Sequence, residues 1–169
     1  ESVTITDGIQ GTSYINVKAA SDGRAPSAFV SGNNNQGSSI AVPVALSPSP
    51  DLVVSSVSLP QTANEGDYVD VSWTVQNQGQ AKTTGTWIDS VSLVPADGNG
   101  SSIFLGNFTY DLGLDPGINY TRTEQVRLPT KIQGQYRLVV TANANKGQYE
   151  YGSAASNNTL TSSDTMLVA

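Results

Sequence analysis

Asp97, Asn99 and Ser101 put oxygen-bearing side chains at every second position of DGNGS, the spacing that opens calcium loops. A loop of the EF type closes on a bidentate acid at its twelfth position, and here that position is Phe108. The same Asp-Gly and Asn-Gly steps make a hairpin turn, because glycine reaches positive φ without strain. The turn is the expectation; calcium at Asp97, Asn99 and Ser101 is its alternative, and no other cofactor is implied. Trp87, Tyr149 and Tyr151 have the chemistry of sugar platforms, since a pyranose face stacks on an aromatic ring. Tyr149 and Tyr151 stand two apart and would share a strand face, while Trp87, Phe108 and Tyr110 flank the DGNG turn. Packing in the core or at its rim is the competing expectation. Asp111 with Asp115, or Glu124 with Glu150, has the composition of a glycosidase pair. Such a pair needs a cleft and one acid raised by burial, so solvated surface charge is expected instead.

The residues that are missing narrow the chemistry further. With His 0 and Cys 0 the chain lacks the commonest general base, the commonest zinc ligand and any thiolate nucleophile. No catalytic residue is expected, and the chain is taken as non-enzymatic. A formal charge of −6, with only eight Lys and Arg, argues against nucleic acid as a partner. No apolar run is long enough to span a bilayer, so membrane insertion is not expected. A start at Glu1 without Met suggests a processed end or an excised piece. Four Asn-X-Ser/Thr acceptor patterns, at Asn99, Asn107, Asn119 and Asn157, are of the number that chance gives in so hydroxyl-rich a chain.

The elements that carry these residues are strands. In residues 66–77, Val69, Val71, Trp73 and Val75 alternate with Asp70, Ser72, Thr74 and Gln76, the period of a half-buried strand. Residues 134–144 repeat the pattern with Tyr136, Leu138, Val140 and Ala142. Further strands are predicted at 51–59, 87–94, 103–110, 119–128 and 161–169, with Asp-Pro-Gly at 115–117 as a turn. Seven short strands and no 3.6-residue periodicity predict an all-β, immunoglobulin-like sandwich. Trp73 belongs to its core.

The chain also repeats itself. GIQG at 8–11 and KIQG at 131–134 place Gly11 and Gly134 at 134 − 11 = 123 residues apart. Asn34 and Asn157 keep the same separation, 157 − 34 = 123. On that offset Ile15, Val17 and Ala19 fall on Leu138, Val140 and Ala142, and Val44 falls on Leu167. A fixed offset held over two motifs and a strand is a tandem repeat. Residues 1–46 are therefore predicted to be the last strands of a preceding copy, 47–50 a Ser-Pro linker, and 51–169 a complete sandwich.

PDLVVSSVSLP (50–60), EGDYVDVSWTVQNQG (65–79), LDPGINYT (114–121) and SNNT (156–159) resemble, in order, the CARDB family, the cell-adhesion-related domain found in bacteria. GNNN at 32–35 resembles the late motif of a previous copy. The family usually carries an acid shortly before the Asn pair; GSAASNN (152–158) has none, and Glu150 just upstream is the substitute. The resemblance implies an immunoglobulin-like sandwich of modular surface proteins, with an adhesive or spacing role and no catalytic residues.

Residues 12–20 and 39–46 are strands without the front half of their sandwich, and Pro43 leaves one edge of the last strand without a donor. Three outcomes are open for these strands: an extended flanking contact within a longer array, packing against the complete sandwich of the same chain, or completion by strands of a neighbouring molecule; Ile15, Val17, Ile40, Val42 and Val44 are the expected interface. The expected partners are other copies of the chain or neighbouring repeats, and polysaccharide in the alternative reading. The function expected is an extracellular or cell-surface structural and adhesive repeat that self-assembles into a filament or layer by strand complementation. The alternative is a non-catalytic polysaccharide-binding or spacer module of a larger secreted enzyme.

Overall fold

The computed structural model describes residues 2–18 and 36–169, which divide into a unit ending at Ser47 and a unit running from Pro48 to Ala169. In the first unit, β1 (Gly11–Ser13) pairs antiparallel with β4 (Val42–Val44), and β2 (Asn16–Lys18) with β3 (Gln36–Ser38). Thr12, Val17, Val42 and Val44 are β-branched and favour strand, whereas β3 is Gln-Gly-Ser, and the ladders are only three residues each. Between them Ser39 reaches back: its amide donates to the Ile15 carbonyl at 2.9 Å and its Oγ accepts the Ile15 amide at 2.9 Å. Ala19, Ala20 and the GNNN motif lie outside the described residues.

The second unit is the sandwich. β5 (Leu52–Ser58), β7 (Tyr68–Asn77) and β10 (Asn119–Arg127) form one sheet in the order β10-β7-β5. The other sheet runs β6 (Thr62–Ala63), β13 (Met166–Val168), β11 (Gly134–Thr141), β8 (Trp87–Pro95), β9 (Ile103–Tyr110), with β12 (Thr159–Thr161) also on β11. All pairings are antiparallel except β6 with β13. Six of the seven predicted strands are present, the seventh, 161–169, is interrupted at 162–165 and leaves the end of β12 and β13, and the very short β6 is added. Residues 142–144 leave the predicted strand because Asn143 turns the chain at φ 53°. A short 3-10 helix, Gly152–Ser156, is the departure from strand and loop.

Alternation puts the core where expected. Val71, Trp73 and Val75 of β7 and Leu138 and Val140 of β11 are at most 1% exposed. With Leu52, Val91, Leu93, Leu128, Met166 and Val168 they form one cluster between the sheets. At about 1.5–3 kcal/mol for each fully buried side chain of this size, that cluster is the main source of stability. DGNG is the β8–β9 hairpin turn, with Gly98 and Gly100 at φ 76° and 129°.

The pairing of the first unit matches that of the sandwich. Asn16 opposite Ser38 corresponds to Val139 opposite Thr161, with 139 − 16 = 123 and 161 − 38 = 123. Ser162 stands to Leu138 as Ser39 stands to Ile15: its amide donates to the Leu138 carbonyl at 2.8 Å, and its Oγ accepts the Leu138 amide at 3.0 Å. Gly11 and Gly134 both open their strands at positive φ, 99° and 110°. After the serine the offset grows by one. Gly11 pairs Val44 while Gly134 pairs Val168, so Val44 corresponds to Val168 (168 − 44 = 124) and not to Leu167. One extra residue between Ser162 and Met166 causes the shift.

Candidate functional site

Four separate pieces of sequence meet at one end of the sandwich. Asn77, at the end of β7, is fully buried. Its Oδ1 accepts the amides of Asp51 (3.1 Å) and Gly79 (3.0 Å), and its Nδ2 donates to the carbonyls of Ala81 (2.8 Å) and Leu114 (2.9 Å). All four capacities of the amide are used, so the side chain acts as a rivet between three loops. Gly79 is required there, since a Cβ would stand 2.4 Å from the Ser49 carbonyl oxygen. That carbonyl accepts the Gln80 and Ala81 amides, so Ser49 and Pro50 of the predicted linker are held by the sandwich.

Beside this rivet lies Glu150, 8% exposed. Oε1 accepts the Leu52 amide at 2.5 Å, and Oε2 accepts Nδ2 of Asn143 (2.6 Å) and of Asn158 (2.7 Å). Asn158 also donates to the Leu52 carbonyl at 3.0 Å, and Asn157 donates to Asp51 Oδ1 at 3.0 Å. The expectation of a solvated Glu150 is therefore corrected: the acid is buried because it is the acceptor that fastens β5 to the chain leading into β12. Burial pushes its pKa up, and the bonds from Leu52, Asn143 and Asn158 pull it back in part.

A second buried acid, Asp89 on β8, is not singled out by the sequence motifs. It is fully buried, and Oδ2 accepts Trp73 Nε1 at 2.7 Å and the Tyr120 hydroxyl at 2.6 Å. Burial raises its pKa, against lowering by Tyr120 and Trp73. Trp87 Nε1 lies near enough to lower it a little, but neither that nitrogen nor Asp89 Oδ1 has a partner of full hydrogen-bond geometry. Tyr110 stacks on Tyr120 with ring centroids 3.9 Å apart, and Trp87 lies 4.7 Å from Tyr110. The polar side of β8 alternates out of the core, so an Asp in phase with Val91 and Leu93 is the signal the sequence offers. Asp89 and Glu150 share no hydrogen-bond partner, and the arrangement gives no acid pair across a cleft.

The CARDB sequence profile matches residues 49–162, most of the chain and all the motifs that build the clasp around Asn77 and Glu150. The chain belongs to the CARDB family. The CARDB domain of a Pyrococcus furiosus protein, crystallised in complex with di-metal ions, is 23% identical, with a TM-score of 0.51 over 72% of this chain and 90% of that one. A solution structure of that domain gives 22% identity and a TM-score of 0.50 over 71% of this chain and 95% of that one. These likenesses show the fold. A β-glucoside glucohydrolase of Trichoderma reesei also overlaps at 20% identity, over 71% of this chain and 19% of its own, at a TM-score of 0.47 too low to carry an argument. No curated protein matches the chain in sequence.

Within this CARDB sandwich the predicted site residues separate. Trp87 is corrected: it is fully buried, because β8 turns it inward with Asp89, Val91 and Leu93, and no sugar reaches its ring. Tyr149 and Tyr151 lie between β11 and the 3-10 helix, on a segment that is not a strand. Gln148 and Glu150 alternate with them and are buried, while Tyr149 is 46% exposed and Tyr151 is half-buried. Tyr149 stands at a cleft of about 480 Å³ whose walls include Thr141, Asn143, Lys146, Ser156 and Thr159. Asp97 Oδ1 accepts the Asn99 amide at 2.9 Å, so the carboxylate organises the turn itself. Among the described residues no three His, Cys, Asp or Glu side chains gather as metal ligands. Asp115 forms an exposed ion pair with Lys82 at 3.2 Å, and Glu124 pairs with Arg122 at 2.5 Å.

The predicted interface residues lie on the first unit. Ile15, Val17 and Ile40 are 52%, 63% and 86% exposed, while Val42 and Val44 are half-buried. The residues that Ile15, Val17, Val42 and Val44 fall on in the sandwich, Leu138, Val140, Met166 and Val168, are at most 1% exposed, whereas Ile40 falls on the exposed Ser163.

Proposed function

We propose that this CARDB chain is an extracellular, non-catalytic structural and adhesive module, built as the closing strands of one repeat followed by a complete repeat. In this reading the first unit is completed by strands from another chain, and assembly proceeds as an open filament or layer. The observation that carries it is the correspondence of Ile15 and Ser39 with Leu138 and Ser162, down to the same pair of hydrogen bonds. Ile15 and Val17, which fall on core positions in this way, are 52% and 63% exposed, and an exposed apolar face favours association with another chain. A contact whose two sides differ propagates as an open filament when its rotation does not close a ring. Sedimentation velocity of the full chain over a hundredfold range of concentration tests the reading. Mass that rises with concentration supports it, and a monomer throughout removes it.

A second reading is favoured by Tyr149 and its cleft: a polysaccharide-binding module of a larger secreted enzyme. Lys146 and the hydroxyls of Thr141, Ser156 and Thr159 are the polar groups such a ligand would meet beside the ring. A Tyr149→Ala variant that leaves polysaccharide retention unchanged removes this reading.

A further inference from the structure

We infer that the cleft beside Tyr149 takes a saccharide bearing a carboxylate, a uronic acid unit of an otherwise neutral polysaccharide, and that Lys146 selects the charge. This rests on the polysaccharide-binding reading above and names the ligand class of that same site.

The cleft is built on a loop that is fixed before any ligand arrives. Residues 143–148 follow β11 and are pinned to the chain that enters β8. The Ala144 amide donates to the Ile88 carbonyl at 2.8 Å, and Asn145 Oδ1 accepts the Ile88 amide at 2.9 Å. The Gln148 side chain bonds Thr84 both ways: its Oε1 accepts the Thr84 amide at 2.7 Å, and its Nε2 donates to the Thr84 carbonyl at 2.6 Å. A Cβ on Gly147 would collide with the Thr86 carbonyl, so the loop lies directly against that chain. Within the loop the Lys146 amide donates to the Asn143 carbonyl at 2.8 Å. A side chain on so pinned a backbone loses little further freedom when a ligand binds.

Lys146 is the unusual residue of this loop. Its φ is 53°, a left-handed conformation whose ordinary occupants are Gly and Asn. The turn gives no conformational reason for a lysine, and what lysine adds there is its ammonium. Among the described residues no acid pairs with it; the ion pairs are those of Lys82 with Asp115 and Arg122 with Glu124. Glu150 also lines the cleft, but both its oxygens are engaged by Leu52, Asn143 and Asn158. An ammonium without an acid partner in its own chain is suited to an anion from outside.

The rest of the wall suits a sugar ring. Tyr149 is 46% exposed and offers a ring face. Thr141 and Thr159 are paired across β11 and β12 with their hydroxyls 2.8 Å apart, and hydroxyls both donate and accept, as those of a sugar do. The formal charge of −6 works against a densely charged polyanion, so the ligand is a mainly neutral chain with an occasional carboxylate.

Affinity of the full chain is measured for glucuronoxylan, a neutral xylan with uronate branches, and for the same polymer after its carboxyls are reduced to alcohols. The wild type is expected to prefer the native polymer about fivefold at low salt, the upper range for an exposed ion pair. Raising the salt is expected to erode that preference. Lys146→Asn, which suits the positive φ, is expected to abolish the preference, and Lys146→Arg to keep it. Tyr149→Ala is expected to weaken binding of both polymers. A wild type that binds both polymers equally, with Tyr149→Ala weakening both, overturns the uronate assignment while the binding-module reading stands. A Lys146→Asn variant that keeps the wild-type preference overturns the assignment as well. Binding of neither polymer also overturns it; if cellulose and chitin are not retained either, the binding-module reading falls with it.

Discussion

Asp89 Oδ2 accepts the Tyr120 hydroxyl at 2.6 Å, a bond that crosses from β8 in one sheet to β10 in the other. The same oxygen accepts the Trp73 indole, so one carboxylate ties three strands through an otherwise apolar core. Removing it strands two buried donors, at about 1–3 kcal/mol each. Asp89→Ala is therefore expected to lower unfolding stability by about 2–6 kcal/mol, measured by urea denaturation. Asp89→Asn keeps an acceptor for both donors and is expected to lose less than half as much.

The two buried acids set the pH dependence. The folded-state pKa values of Asp89 and Glu150 are both raised, burial being the main cause. A raised folded pKa means that the folded chain holds more protons than the unfolded one, so stability falls as pH rises. That window opens at the ordinary carboxylate values and closes at the raised folded values. The melting temperature is expected to climb on mild acidification through that window. Asp89→Asn is expected to flatten the slope, and a wild type whose stability instead rises with pH there contradicts the assignment.

Glu150 meets three donors with two oxygens, and a glutamine replaces one of those acceptors by a further donor. Glu150→Gln is expected to cost about 1–3 kcal/mol, since a buried donor then faces a donor. Hydrogen exchange resolves the place: Leu52 and its neighbours in β5 are expected to lose protection first, with β8 unchanged.

Gly79 lies where the chain enters the sandwich. Gly79→Ala brings a methyl against the Ser49 carbonyl and the Asp51 amide, both backbone. The expected cost is about 1–3 kcal/mol, the usual range for overpacking. Limited proteolysis is expected to cut faster at residues 47–51 in this variant.

Period-2 alternation makes the strands legible, because Val69, Val71, Trp73 and Val75 can only be buried together on one face. The CARDB motifs make the fold legible, and the structure supplies their reasons: Asn77 and Gly79 form the rivet and Asn157 and Asn158 the clasp. Glu150 is seven residues ahead of Asn157 and reads as solvated in sequence, because its inward turn depends on Asn143 at positive φ. Asp89 is in phase with Val91 and Leu93, which signals an inward side chain, but what lets an acid sit there shows only where Tyr120 and Trp73 converge on it. Trp87 looks like a platform through its place beside a hairpin, where strand phase and not proximity decides exposure. The likeness of GIQG and KIQG is legible in the sequence, but the one-residue slip in that likeness after Ser39 shows only in the pairing of Val44.

Backbone hydrogen exchange of the first unit, followed as concentration is raised, decides whether a second chain completes it. A strand added to that unit protects the amides it pairs, so exchange there is expected to slow as concentration grows, while β11 stays protected throughout. Exchange in the first unit that stays fast at every concentration would contradict strand complementation.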